Sequence, residues 1–102
     1  MKRTVLAVGT ATALIFGGMG VALADGESIY TNGTSPTCSS CHERGVAGAP
    51  KLNAPEDWED RPSSVDELVD STLSGKGAMP AYESRADRGD LVKAIEYMLS
   101  TL

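Results

Sequence analysis

Hydrophobic positions follow two different patterns along the chain. Residues 4–24 contain no charged side chain and are rich in Ala, Val, Leu, Ile, Phe and Gly, whereas the later apolar residues recur at helical spacing. No segment alternates between apolar and polar residues as a half-buried strand does. The pattern therefore predicts an apolar leader followed by an all-α domain.

Two segments of that domain have the start and stop residues of short helices. Residues 25–30 are predicted to form a helix, which ends at the turn-forming residues 32–36. Ser64 and Glu67 have the spacing of a capping box, so a second helix should begin there and run to about Leu73. Its inward-facing residues are predicted to be Val65, Leu68, Val69 and Thr72.

A third helix is predicted near the C-terminus, with Asp87 or Asp90 as its cap. Five of its residues share one face at helical spacing, namely Leu91, Ile95, Met98, Leu99 and Leu102. Residues 38–62 contain several Pro and Gly breaks and are predicted to be a loop with short helical turns. The expected architecture is three main helices joined by long loops.

Residues 1–24 have the three parts of a secretory signal peptide. Lys2 and Arg3 provide the positive start, the apolar stretch follows, and residues 22–24 are the Ala-Leu-Ala of a cleavage site. The alternative is an uncleaved membrane tether, which the glycines within the apolar stretch disfavour. We therefore predict that residues 1–24 are cleaved and that residues 25–102 are exported to the periplasm, without stable membrane insertion.

Removal of the leader changes the net charge and the apolar fraction of the chain. The full chain has 9 bases against 14 acids, and the loss of Lys2 and Arg3 takes the net charge from −5 to −7. An acidic chain is unsuited to a phosphate backbone, which excludes nucleic-acid binding. Only about 35% of the remaining residues are apolar, too few for a self-sufficient core in one small domain. A bound cofactor is expected to supply the missing volume.

Both cysteines and the single histidine lie in one segment, Cys38-Ser39-Ser40-Cys41-His42. This C-x-x-C-H sequence indicates covalent haem attachment, because two thiols on one turn can bond to both vinyl groups of a porphyrin while the imidazole binds the iron. Two alternatives each lack a component. A structural zinc site needs four ligands, and a thioredoxin-type redox pair needs a βαβ pattern.

Met79 is the candidate for the second axial ligand of the iron. It lies in the loop of residues 75–80, between flexible glycines and a rigid proline, and such a loop can direct a thioether at the metal. Simple packing is the alternative for Met79, as it is the expected role of Met98 on the last helix. With both axial positions filled, iron has no open site for substrate, which favours electron transfer over enzymatic catalysis.

The sequence resembles the small exported class I c-type cytochromes, and within them the cytochrome c-five group. The resemblance extends over residues 26–99 and is strongest in five segments, residues 38–42, 45–52, 58–61, 75–80 and 94–99. It implies the small class I cytochrome c fold, with long loops around one covalently bound haem c. The implied function is that of a periplasmic monohaem one-electron carrier.

The resemblance also implies a role for each residue of the haem site. Cys38 and Cys41 would form the thioethers, and His42 and Met79 would be the axial ligands of the iron. The carbonyl of Pro50 would accept a hydrogen bond from the His42 ring, which fixes the orientation of the imidazole.

Three further residues would contact the haem periphery. Leu52 would pack on the haem edge, while Trp58 and Arg61 look like the propionate contacts of the family. Burial alone is the alternative for Trp58, and an ordinary surface charge is the alternative for Arg61. The acidic residues between positions 56 and 60 are predicted to be a solvated face, with a docking patch as the alternative.

The family also implies that Gly26 and Tyr30 cross Tyr97, with glycine permitting the close approach of the helices. Two features depart from the c-five group. Its members commonly have a second Cys-x-x-Cys pair before the last helix, where residues 85–88 here are Arg-Ala-Asp-Arg. Residues 32–36 also lengthen the spacing between the first helix and the first cysteine. Both departures concern the subgroup rather than the class.

Redox protein partners are expected to bind weakly and transiently. The net charge of −7 predicts that such a partner presents a basic docking face, and the oligomeric state remains open. Two other functions are alternatives: a haem subunit of a larger redox enzyme complex, and a haem-based ligand-binding or sensing protein in which Met79 leaves the iron.

Overall fold

The computed structural model describes residues 25–102, and the predicted signal peptide, residues 1–24, lies outside the described residues. Helix α1 begins as α-helix over residues 25–28 and continues as a π-helical turn, Ile29–Gly33. The other helices are α2 (Ser39–His42), α3 (Val65–Ser74) and α4 (Arg88–Ser100), and two 3₁₀ turns cover Val46–Gly48 and Pro55–Trp58. No strand occurs in residues 25–102, so the predicted all-α class is confirmed.

Helix α3 begins after its predicted cap residue, Ser64, and ends at Ser74, one residue beyond the predicted end. The Ser64 hydroxyl accepts a hydrogen bond from the Glu67 backbone N–H at 3.4 Å, which is the N-cap half of the predicted capping box. Gly75 ends the helix with a φ of 82°, and a Cβ there would lie 2.9 Å from the Ala81 nitrogen. Both its conformation and its surroundings therefore require glycine.

Helix α4 begins at one of its two predicted cap residues and ends earlier than predicted. Asp87 is the N-cap residue, but its side chain makes no capping hydrogen bond. The helix ends at Ser100, so Leu102 lies beyond it and is 43% exposed. The prediction that Leu102 belongs to the helical stripe is wrong, because the chain leaves the helical path two residues earlier. Leu91, Ile95 and Met98 are buried as predicted.

Helices α1 and α4 cross, and they contact each other at Gly26. A Cβ at this position would collide with the Lys93 carbonyl oxygen and would lie 2.9 Å from the Tyr97 Cβ. One turn further along α1, the rings of Tyr30 and Tyr97 pack with their centroids 5.5 Å apart. The predicted crossing of these helices is confirmed, and it fixes the position of α4 relative to the N-terminal segment.

Two groups of buried side chains form the core, and α4 contributes to both. The Cys38 cluster contains Tyr30, Cys38, Ala94 and Met98. The Tyr82 cluster contains Val69, Tyr82, Leu91 and Ile95. Within residues 25–102, no helix has the length and hydropathy needed to cross a membrane.

Candidate functional site

A cleft of about 270 Å³ is lined by residues of both core clusters. Its walls come from the C-x-x-C-H segment, the loop of residues 46–50, the loop of residues 76–80 and one face of α4. Among the residues that line it, Arg61 and Lys76 are the charged ones, and none is Asp or Glu. The cleft therefore suits a large, mainly apolar group whose own charge is negative.

Helix α2 places both thiols at this cleft. The backbone N–H of His42 donates to the Cys38 carbonyl oxygen at 3.0 Å, which closes one helical turn around the motif. Neither thiol is in a disulfide; Cys38 is buried, Cys41 is half-buried, and both line the cleft. Burial raises the pKa of the Cys38 thiol. A porphyrin that is attached through both vinyl groups requires two free thiols on one turn, and this wall of the cleft provides them.

His42 is held in a defined orientation at the same wall. Its Nδ1 lies 2.8 Å from the carbonyl oxygen of Pro50. Because a carbonyl only accepts hydrogen bonds, Nδ1 carries the proton and Nε2 keeps its lone pair for a metal. The imidazole is also stacked on the Trp58 ring, with centroids 6.4 Å apart.

The surroundings of His42 favour its neutral form. Burial lowers the pKa of the imidazole, the hydrogen bond to Pro50 opposes that effect, and the positive charge of Arg61 lowers the pKa further. A neutral imidazole is the form that binds a metal ion.

Met79 enters the cleft from a tight turn. The backbone N–H of Lys76 donates to the Met79 carbonyl oxygen at 3.1 Å, and the Met79 N–H donates to the Lys76 carbonyl oxygen at 2.9 Å. The side chain of Met79 is half-buried against the Tyr82 cluster and lines the cleft. Met98 also lines the cleft, but it lies in the Cys38 cluster with an exposed fraction of 4%.

The remaining candidate residues lie on or just behind the cleft wall. Trp58 lines the cleft, and its indole N–H donates to the Lys51 carbonyl oxygen at 2.9 Å. Arg61 also lines it, and its Nε donates to the Asp57 carbonyl oxygen at 3.1 Å. Leu52 is half-buried against the Cys38 cluster and is outside the lining.

These residues fit a covalently bound haem. The donor set consists of two free thiols, an imidazole with its Nε2 available and a thioether, and apolar side chains form most of the walls. Within residues 25–102, no cluster of three or more His, Cys, Asp or Glu side chains offers a metal site of another kind.

Comparison with known proteins identifies the family. A family model described as "Cytochrome C oxidase, cbb3-type, subunit III" matches residues 21–98. Cytochrome c-551 of Halorhodospira halophila is 87% identical over 78 residues, which are 76% of this chain and 100% of that protein. The chain belongs to the class I c-type cytochromes. It is a small monohaem electron carrier rather than an enzyme, with one covalently bound haem c.

Other relatives agree with this assignment of the cytochrome. Cytochrome c-551 of Halorhodospira halochloris is 63% identical over 78 residues, which are 76% of this chain and 99% of the relative. Cytochrome c5 of Ectopseudomonas mendocina is 36% identical over 66 residues, covering 60% of this chain and 76% of the relative. The predicted resemblance to class I cytochromes, with a c5 relative among the matches, is confirmed.

Solved structures show the same fold as this cytochrome. The NMR structure of reduced cytochrome c551 of Ectothiorhodospira halophila has a TM-score of 0.74 and 87% identity, covering 76% of this chain and 99% of that one. A cytochrome c in an electron-transfer complex with nitrite reductase has a TM-score of 0.64 and 37% identity, covering 76% of this chain and 93% of that one.

The sequence indicates no role for Tyr82, which also lines the cleft of the cytochrome. Its hydroxyl donates to the Pro36 carbonyl oxygen at 2.6 Å. The two residues are 46 positions apart, so no local pattern of the kind used for helices or turns connects them. One signal in the sequence points to such a contact. Tyr82 follows Met79 by three residues, and a Tyr hydroxyl that is buried needs a hydrogen-bond partner.

Proposed function

We propose that this cytochrome carries single electrons in the periplasm with its haem bound through thioethers at Cys38 and Cys41 and through axial ligands His42 and Met79. The observation that carries the proposal is that two free thiols, an oriented imidazole and a thioether line one cleft without acidic side chains. When bound, the haem supplies one-electron chemistry at its iron.

The residues around the cleft would keep this site rigid, which electron transfer requires. The Pro50 carbonyl holds the His42 ring in one tautomer and one orientation. Stacking on Trp58 restrains the same ring from a second direction. With His42 and Met79 both bound, no position remains for a substrate, and the geometry can stay the same in both oxidation states.

Arg61, Trp58 and Leu52 are the proposed contacts of the haem periphery. Arg61 is suited to a propionate because it is a cation on a cleft wall without acids. A propionate contact by Trp58 requires its N–H to leave the Lys51 carbonyl oxygen, to which it donates here. Leu52 would support the haem edge from behind the wall.

We also propose that residues 1–24 are a cleaved signal peptide and that residues 25–102 form the exported cytochrome c domain. The match to the relative with 87% identity supports this division, because it spans 78 residues and the whole of that relative. The predicted mature chain has the same length. Haem attachment outside the cytoplasm would follow from export.

The second candidate function is that of a haem subunit in a larger redox enzyme, which the description of the matched family model favours. Two observations favour the free carrier over it. The c-551 relatives match over 100% and 99% of their own lengths, so neither has a further domain. Val46 and Leu102 are the large apolar side chains that are exposed in the described part of the chain, whereas a permanent subunit interface needs a larger apolar patch.

The carrier function predicts a reversible one-electron titration and a ferrous absorption spectrum that carbon monoxide leaves unchanged. The reason is that Met79 occupies the position that carbon monoxide would need. Visible spectra of the purified holoprotein, oxidised and then reduced, with and without carbon monoxide, provide the measurement. A ready spectral shift would instead support a ligand-binding or sensing haem protein, and a missing Soret band would support a thiol oxidoreductase.

Electrons reach and leave the cytochrome through redox protein partners that bind transiently. We propose that such a partner presents a basic docking face, because the predicted mature chain has a net charge of −7. The structural relative in a complex with nitrite reductase supports docking of this fold on a redox enzyme. Asp60 is exposed and adjoins Arg61, which lines the cleft, so its charge lies near the proposed haem site.

The rate of electron transfer with a basic redox protein is therefore expected to fall steeply as salt rises. The Debye length shortens from roughly 30 Å at 0.01 M to roughly 3 Å at 1 M, which screens the attraction. Asp60→Asn should lower the low-salt rate about twofold, and Glu27→Gln on α1 is a control with the same change in net charge. Stopped-flow kinetics provide the rates. Rates that do not depend on salt would contradict the basic docking face.

A further inference from the structure

One buried side chain, that of Tyr82, connects two segments that line the haem cleft. Tyr82 follows Met79 by three residues, and it is 3% exposed. Its hydroxyl donates a hydrogen bond of 2.6 Å to the carbonyl oxygen of Pro36, which precedes Cys38 by two residues. This bond therefore joins the segment that presents the thioether to the segment that presents the first thiol.

Both ends of this hydrogen bond are themselves held in place. The Tyr82 backbone N–H donates to the Thr72 carbonyl oxygen at 3.1 Å, and the Glu83 N–H donates to the Leu73 carbonyl oxygen at 3.2 Å. These two bonds attach the chain after Met79 to the last turn of α3. At the other end, the Pro36 carbonyl oxygen also accepts from the Thr34 hydroxyl at 2.9 Å. The Tyr82 hydroxyl thus connects the chain after Met79 to the segment before Cys38, and other hydrogen bonds hold each of them in place.

Arg85 makes a second and more exposed connection between the same segments. Its guanidinium donates to the Ser35 carbonyl oxygen at 3.2 Å. Ser35 and Pro36 belong to the lengthened segment, residues 32–36, and Arg85 begins the residues that stand where the c-five group has a cysteine pair. The two segments in which this chain departs from the c-five group therefore contact each other, and the contact includes this hydrogen bond.

We propose that Tyr82 is a positioning residue for Met79. The Tyr82 hydroxyl keeps the Met79 segment, residues 79–82, closed against the Cys38 segment, residues 36–38. This inference rests on the proposed ligation of iron by Met79. A tyrosine hydroxyl is protonated at neutral pH, so that of Tyr82 can act as the donor to the Pro36 carbonyl oxygen. Without this bond, the Met79 segment opens more often, and the thioether leaves the axial position more often.

Imidazole binding to the ferric holoprotein tests the inference, because imidazole can replace the thioether at iron without a change of oxidation state. One hydrogen bond of ordinary net strength corresponds to about a fivefold larger open population. Tyr82→Phe is therefore expected to bind imidazole about fivefold more tightly than the wild-type protein, so its methionine–iron(III) absorption band should be lost at about fivefold lower imidazole concentration. Arg85→Gln should show a smaller change in the same direction, since its bond is exposed.

Tyr30→Phe is the matched control. Tyr30 is 1% exposed and also donates a single hydrogen bond, to the Glu43 carboxylate at 2.7 Å, but it lies in the Cys38 cluster. This variant should lower stability without a change in imidazole affinity. Equal affinities for Tyr82→Phe and the wild type would overturn the inference, and so would an equal increase for Tyr30→Phe.

A third variant, Met79→Ala, separates the inference from the ligation on which it rests. It is expected to bind imidazole more tightly than either tyrosine variant, because no thioether competes. If Met79→Ala binds imidazole no more tightly than the wild type, the proposed ligation by Met79 is wrong and the inference falls with it. If only Tyr82→Phe fails to respond, the ligation stands and the role of Tyr82 is refuted.

Discussion

A chain in which both Cys38 and Cys41 are replaced by alanine is expected to be largely unfolded when prepared without haem. The reason lies in how little core the polypeptide has of its own. Eight apolar side chains are buried in the described part of the chain, and they are divided between two clusters. Residues of both clusters line the cleft, so the haem would form the largest apolar surface that each cluster contacts.

The volume of the cleft indicates how much free energy of unfolding is lost without haem. A buried apolar cavity costs about 24 cal/mol per Å³, so a cleft of about 270 Å³ that stayed dry would cost at most about 6 kcal/mol. Small domains have total stabilities of roughly 5–15 kcal/mol, and those of this size lie at the lower end. A loss of this size is comparable to the whole free energy of unfolding, so we expect the two clusters not to stay packed around an empty cleft.

Far-UV circular dichroism and proton NMR of the haem-free variant, expressed without the predicted leader, provide the measurement. Low helix content and poor chemical-shift dispersion are the expected result. Ser39→Ala alters the same motif but keeps both thiols, and its holoprotein should have nearly wild-type helix content. A well-dispersed spectrum from the double alanine variant would show that the polypeptide folds without its cofactor.

Features that depend on neighbouring residues could be predicted from the sequence. The C-x-x-C-H segment forms a single turn, Ser64 caps α3, and Gly75 ends it, because each of these depends on a few consecutive side chains and their backbone preferences. The stripe on α4 could be predicted for the same reason, since helical periodicity is local. Leu102 was misplaced because nothing in that periodicity marks where the helix ends.

Features that depend on distant residues could not be predicted in the same way. The Tyr82 hydroxyl and the Pro36 carbonyl oxygen belong to residues 46 positions apart in the sequence, and only the tertiary fold brings them together. The indole N–H of Trp58 donates to Lys51, a partner that a family-based propionate role does not anticipate. In both cases the partner is a backbone carbonyl, and every residue has one, so residue types alone do not identify it.

Met79→His is expected to lower the reduction potential of the cytochrome by a few hundred millivolts, because axial ligands set haem potentials over a range of about 0.8 V. A thioether is a soft ligand that favours Fe(II), whereas imidazole favours Fe(III). Potentiometric titration followed by visible absorption gives the midpoint. The substitution should also remove the methionine–iron(III) absorption band, because position 79 no longer has a thioether.

Met98→Leu is the control that makes this prediction specific, since Met98 lines the same cleft as Met79. Leucine has a similar volume and no sulfur, so the packing of α4 should be preserved. Met98 is 4% exposed within the Cys38 cluster, which also contains the first thiol, whereas Met79 packs against the Tyr82 cluster. We therefore expect Met98→Leu to leave the potential nearly unchanged. A large shift in Met98→Leu, with none in Met79→His, would assign the sulfur ligand to α4 instead of the loop of residues 75–80.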